Sequence, residues 1–114
     1  MNLLDNQPEK LQVTVARGNI YVPLEVCEVY FKGIESVALL PHEEGVLLIP
    51  LLQQSAGGML LKIRNLRGDR VVHAQEFWRF QGYAEDFDDC AYPVRWLSER
   101  AALLLRGIFP LTTS

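Results

Sequence analysis

Two apolar runs, Ser36 to Leu40 and Val46 to Leu52, flank Pro41-His42-Glu43-Glu44-Gly45, a turn-forming stretch of proline, charge and glycine. Both runs read as strands, so the segment is a β-hairpin. Its constraint is that neither face is polar. Val37-Ala38-Leu39-Leu40 and Val46-Leu47-Leu48-Ile49 are consecutive apolar residues, and successive side chains of a strand point to opposite faces. An antiparallel hairpin ordinarily leaves one face in water. One that cannot must be covered on both sides, by the rest of the chain or by a second copy. A homodimer with Ser36 to Leu52 at its interface is the expectation.

The rest of the chain can supply a core. Of 114 residues, 49% are hydrophobic and 22% charged, so folding requires neither disulfides nor a metal. Cys27 and Cys90 lack CxxC spacing and read as reduced thiols of a cytoplasmic protein. The first ten residues, MNLLDNQPEK, lack the basic and apolar regions of a secretory signal. No apolar run reaches the roughly 18 residues of a membrane span, so no membrane association is expected. The net charge of −3 gives no general attraction to nucleic acid. It is unevenly spread, because Glu85, Asp86, Asp88 and Asp89 hold four of the 14 acids. Lys62, Arg64, Arg67 and Arg70 form an opposite, basic cluster interrupted only by Asp69.

Residues 1–10 read as a mobile arm. Leu11 to Ala16 alternates apolar and polar residues as a half-buried strand does. Arg17-Gly18-Asn19 punctuates it, with Gly-Asn suited to the positive φ of a tight turn. Ile20-Tyr21-Val22 follows as a strand, stopped by Pro23. In Leu24 to Phe31, Glu25, Glu28 and Lys32 share one solvated helical face while Val26, Tyr30 and Phe31 point the other way. Two turns of helix are expected there, ended by Gly33. Gln53 to Gly58 has linker composition. Met59 to Asn65 reads as a strand, with Leu60, Lys62 and Arg64 on one face. Leu66-Arg67-Gly68-Asp69 is a turn, and Arg70 to Ala74 the return strand. The Arg-Gly-Asp string matches an integrin-binding tripeptide, but a hairpin turn is the simpler reading. Gln75 to Gln81 forms a short helix before Gly82, and Tyr83 to Cys90 an acidic loop. Tyr92, Val94 and Trp96 alternate as a strand. Residues 98–107 suit either a helix, on propensity, or the second arm of a hairpin, because Leu103-Leu104-Leu105 leaves a helix without a polar face. The expected fold class is α+β, mostly β: a hairpin unit over residues 11–52, then a second β-rich subdomain over 59–114 packed on it.

Gly18, Ile20, Val22-Pro23, Gly33-Ile34, Val37, Leu39, Gly45 and Leu47 to Pro50 follow a recognisable order: strand, Gly, strand ending in Pro, short helix, Gly-Ile, hairpin. That order resembles the swapped-hairpin family of AbrB, SpoVT and MazE, over about a third of the chain. The resemblance implies an obligate dimer of interleaved hairpins and DNA binding through basic residues of the early loop and helix. At helix positions where such regulators carry Arg or Lys, this chain has Cys27 and Glu28.

The expected function is therefore a dimeric DNA-binding regulator, with Arg17, Lys62, Arg64, Arg67 and Arg70 on phosphates. The alternative is a non-enzymatic accessory or protein-interaction domain. It would use the acidic loop and the aromatics Phe77, Trp78, Phe80, Tyr83, Phe87, Tyr92 and Trp96, which otherwise make a second small core. The basic hairpin also has a plain reading, as a solvated strand kept soluble by its charges. Cys27, His42, His73 and Cys90 lack zinc-ligand spacing, and His73 near Glu76 has no nucleophile to serve. Neither a cofactor nor a catalytic site is expected.

Overall fold

The computed structural model describes residues 11–52, 58–82 and 89–108. The N-terminal arm, most of the linker, and Glu85, Asp86 and Asp88 of the acidic loop lie outside them, as do Tyr83 and Phe87. Strand β1 (Gln12–Ala16) and strand β2 (Asn19–Val22) follow from their alternation. Val13, Val15, Ile20 and Val22 are fully buried on one face, and Thr14, Asn19 and Tyr21 lie half-buried on the other. Ala16 pairs with Asn19, so the turn is only two residues long. Its positive φ values therefore fall on Arg17 (52°) and Gly18 (83°), not on Gly18 and Asn19. Two positive φ values mark a type I′ turn, whose twist matches the flanking strands. A left-handed backbone costs a side-chain-bearing residue such as Arg17 roughly 1–2 kcal/mol.

Helix α1 (Leu24–Tyr30) begins at Pro23, whose carbonyl accepts the N–H groups of Val26 and Cys27 at 3.0 and 3.1 Å. Val26, Cys27 and Phe31 are buried, while Glu25, Glu28 and Lys32 stay exposed. The hairpin follows as β3 (Ser36–His42) and β4 (Gly45–Leu51), with Glu43-Glu44 alone as its turn. The strands run further than the turn sequence suggests because Pro41 stays extended opposite Val46. The strand on the other side of β3 reaches only Ser36 and Val37, so no neighbour there needs the N–H that proline lacks.

That neighbour belongs to Met59–Ile63, which reads as one strand but is broken at Leu61. Its first piece, β5 (Met59–Leu60), pairs with β3, and its second, β6 (Lys62–Ile63), pairs with β7 (Arg70–His73). Leu61 is buried at the break, and its N–H donates to the Glu35 carbonyl at 2.9 Å. After β7 come helix α2 (Gln75–Gln81), strand β8 (Cys90–Leu97) and strand β9 (Ala102–Arg106). Residues 98–107 are thus a turn and a strand. Among the described residues, the order across the nine-stranded antiparallel sheet is β5-β3-β4-β9-β8-β1-β2-β7-β6. Since β5 and β6 are one segment, the sheet nearly closes on itself. The fold is mostly β, and the described residues include two helices of seven residues each.

Residues 11–52 and 59–108 contribute alternating neighbours to this sheet, through the pairs β4–β9, β1–β8 and β2–β7. One hydrophobic cluster joins Val13, Ile20, Val26, Leu48, Trp78 and Leu103, with Phe77, Tyr92 and Trp96 packed against it. Of the aromatics in the second half of the chain, the described ones thus enter the common core, apart from Phe80, which is exposed. A smaller cluster, Leu47, Ala102 and Leu104, is separate from the first. Leu47 and Leu48 point to opposite faces of β4, and each is 0% exposed within a single chain. At β4 the two-sided cover that the hairpin demands is supplied by the chain's own residues. Among the described residues no helix is long and apolar enough to cross a membrane.

Candidate functional site: a mixed-charge cleft on the outer wall

The register of β6, β7, β2, β1 and β8 aligns Lys62, Val71, Tyr21, Thr14 and Ala91 in one cross-strand row. This row is the face opposite the buried Ile20 and Val72. A cleft of about 360 Å³ opens on it, with Tyr21 and Thr14 in its lining. Three of the five expected cations, Arg17, Arg64 and Arg67, line the same cleft, together with Asp69 and Asp89. Lys62 is exposed at the end of the row. Arg70 is engaged elsewhere, since its Nη1 donates to the Leu61 carbonyl at 2.9 Å and so pins the strand break.

The cations in the cleft are not equivalent. Arg67 Nη2 contacts both carboxylate oxygens of Glu25, at 2.7 and 2.6 Å, and its Nε lies 3.3 Å from Asp69 Oδ1. Arg64 lies over the Tyr21 ring, 4.5 Å from its centroid, a cation–π contact. Arg17 is exposed on its strained turn. A polar network supports the wall. Asn19 Nδ2 donates to the Tyr21 hydroxyl at 3.1 Å, while Asn19 Oδ1 accepts from Gln75 Nε2 at 2.9 Å and lies 2.8 Å from His73 Nδ1.

The Asn65–Asp69 turn is a compact knot. Asn65 Oδ1 accepts the N–H groups of Gly68 and Asp69, both at 3.2 Å, and its amide donates to Asp69 Oδ2 at 3.0 Å. Asp69 Oδ1 accepts the Leu24 N–H at 2.8 Å, capping α1 from 45 residues away. In this fold the Arg-Gly-Asp string is a hairpin turn that ties β6–β7 to α1. The Asn65 amide, the Leu24 N–H and then Arg67 hold the Asp69 carboxyl below its usual range. A carboxyl depressed in the folded state adds stability above its unfolded value, near pH 4, and loses it as pH falls through the folded value. Wild-type denaturation midpoints should therefore drop as pH is lowered from about 5 toward 2, and Asp69→Asn should flatten that acid limb. Unchanged slopes in the variant would rule this contribution out. Glu25, also depressed, by a backbone hydrogen bond and by Arg67, leaves some slope in either protein.

Cys27 is a core residue whose Sγ lies 3.7 Å from the Val22 carbonyl. Burial pushes its thiol up to about 11, so it is neutral at physiological pH and no nucleophile. Among the described residues no three of His, Cys, Asp or Glu are grouped to hold a metal. Another, more open depression of about 670 Å³, lined by Glu43, Glu44 and Arg106 among others, has no aromatic among its described lining residues. Tyr21 was not among the sequence-predicted site residues, although its outward place in the Ile20-Tyr21-Val22 alternation marks it. Asp89 could not be placed there from sequence, because only the β1–β8 register brings the start of β8 beside Thr14. No family model matches the chain, and comparison with curated proteins and with solved structures finds no match in either.

Proposed function

We propose that this chain is a non-enzymatic binding module that docks a segment of a protein partner in the outer-wall cleft. The observation that carries this reading is the interleaving of charge: three arginines share a small open cleft with two aspartates. A polypeptide segment offers carboxylates, ammonium groups and backbone amides together, and so complements such a lining. A phosphate backbone offers negative charge alone and would meet Asp69 and Asp89. Arg67, moreover, already has its carboxylates. The test is site-specific photo-crosslinking in producing cells. A benzophenone side chain at Thr14, in the cleft, should give a discrete protein adduct, and the same group at Glu99, on the distant β8–β9 turn, should not. No adduct at Thr14, or equal adducts at both positions, overturns the reading.

A second reading is favoured by one observation: Arg17, Lys62 and Arg64 lie on the same outer wall and are outside the ion pairs among the described residues. In it the chain is a DNA-binding regulator of the swapped-hairpin type, acting as a homodimer. Three phosphate contacts per protomer would give log affinity a slope of about −2.7 per protomer against log salt. Sedimentation as a monomer at micromolar concentration, with no retention of a duplex at low salt, sinks it.

A further inference from the structure

The turn that presents Arg17 is built without help from the arginine side chain. Gln75 Nε2 donates to the Arg17 carbonyl at 3.0 Å, and the Gly18 carbonyl accepts both Trp78 Nε1 at 3.0 Å and the Ala74 N–H at 3.1 Å. The same Gln75 amide reaches Asn19 Oδ1. Four bonds from α2 and the residue before it thus hold the turn in a left-handed backbone that suits Asn, Asp or Gly at residue 17. An arginine there is the wrong residue for the turn. It is held by its surroundings, and the residue lines the cleft, the setting in which an outlying backbone points to a binding role.

Arg64 is fixed independently, over a Tyr21 ring whose hydroxyl is anchored by Asn19. Arg67 is occupied by Glu25, so Arg17 and Arg64 are the two arginines of the lining that remain outside ion pairs among the described residues. Resting on the binding-module reading, we propose that Arg17 and Arg64 form a carboxylate-binding subsite for a Glu or Asp side chain of an acidic segment in the partner. Guanidinium groups match the planar, two-oxygen geometry of a carboxylate. Asp69 and Asp89 line the same cleft, and their repulsion of a phosphate dianion exceeds that of a single negative charge. Charge complementarity therefore selects the carboxylate.

The experiment uses the full chain and three dye-labelled probes: a peptide of alternating glutamate and glycine, the same peptide with phosphoserine for glutamate, and a mixed-sequence DNA duplex. The glutamate peptide should bind the wild type and shift the amide resonances of Thr14 and Tyr21. Arg17→Asn should weaken it about tenfold or more, as expected for losing a charge-assisted contact, and Arg64→Gln likewise. Lys62→Gln, an equal charge change outside the cleft, should alter affinity by less than about twofold. Because Asn relieves the left-handed strain, Arg17→Asn should also raise the melting temperature by about 3 °C. Undiminished binding by Arg17→Asn, a fall in its melting temperature, preference for the phosphopeptide or duplex, or wild-type silence to all probes each overturns the subsite. A Thr14 crosslink that persists in any of these cases leaves the module standing without it.

Discussion

Gly45→Ala is expected to lower stability by about 3 kcal/mol or more and the melting temperature by about 10 °C or more. A β-carbon on Gly45 would fall on the Leu105 carbonyl oxygen, and would lie 3.0 Å from the Leu105 carbonyl carbon and 3.3 Å from Arg106 Cα. All three are backbone atoms, so no rotamer change relieves the clash. Gly45 stands opposite Arg106 in the β4–β9 pairing, and just beyond it the Gly107 N–H donates to the Glu44 carbonyl at 3.0 Å. Relief therefore means parting β4 from β9, the junction at which the apolar hairpin joins the C-terminal strands. Gly82→Ala is the matched control. Gly82 also has positive φ, 86°, but among the described residues nothing lies within 4 Å of its added carbon, so its cost should stay at about 1 kcal/mol, the usual left-handed penalty. Urea denaturation of both variants measures the difference, and a Gly45→Ala loss below about 1 kcal/mol would refute the close β4–β9 approach.

Trp78→Ala should cost about 3–5 kcal/mol, against a total of roughly 5–15 for a domain of ordinary stability. Trp78 is fully buried, the largest of the fully buried side chains, and meets Phe77 edge-on at 5.1 Å between ring centroids. Truncation leaves a cavity inside a nearly closed sheet, whose hydrogen-bonded walls restrict collapse. It also removes the indole bond to the Gly18 carbonyl, although the Ala74 N–H still serves that oxygen. Trp78→Phe separates the two effects. Much of the volume returns and only the indole bond is missing, so roughly 1–2 kcal/mol should be lost. Calorimetry and denaturant midpoints check both. Equal losses in the two variants would assign the effect to the hydrogen bond and not to the cavity.

Local patterns in the chain marked much of the secondary structure. The residues of α1 follow from one solvated face and from Pro23, and those of α2 from the stop at Gly82. The hairpin follows from two apolar runs, whereas residues 98–107 suited either a helix or a strand until the pairing of 102–106 with β4 and β8 decided for the strand. Two features were illegible because they depend on how strands pair. Met59 to Asn65 has one unbroken strand pattern, yet it breaks at Leu61 because its halves serve opposite ends of the sheet. Positive φ moved to Arg17 because the Ala16–Asn19 pairing decided the turn length.

The candidate site divides in the same way. A basic cluster at Lys62, Arg64, Arg67 and Arg70 is visible in the sequence, since charge is a property of each residue alone. What each cation does is not: Arg67 pairs with Glu25 across 42 residues, Arg70 holds the Leu61 carbonyl, and Arg64 lies over Tyr21.

By itself the sequence determined a mostly β chain centred on a hairpin with two apolar faces, because periodicity and turn chemistry are short-range. Only the tertiary structure decided that β4 is covered on both faces by its own chain, and that Arg17, Arg64 and Tyr21 meet in one cleft with two aspartates. Sheet register sets those neighbours, and it is a property of pairs of strands that neither strand carries alone.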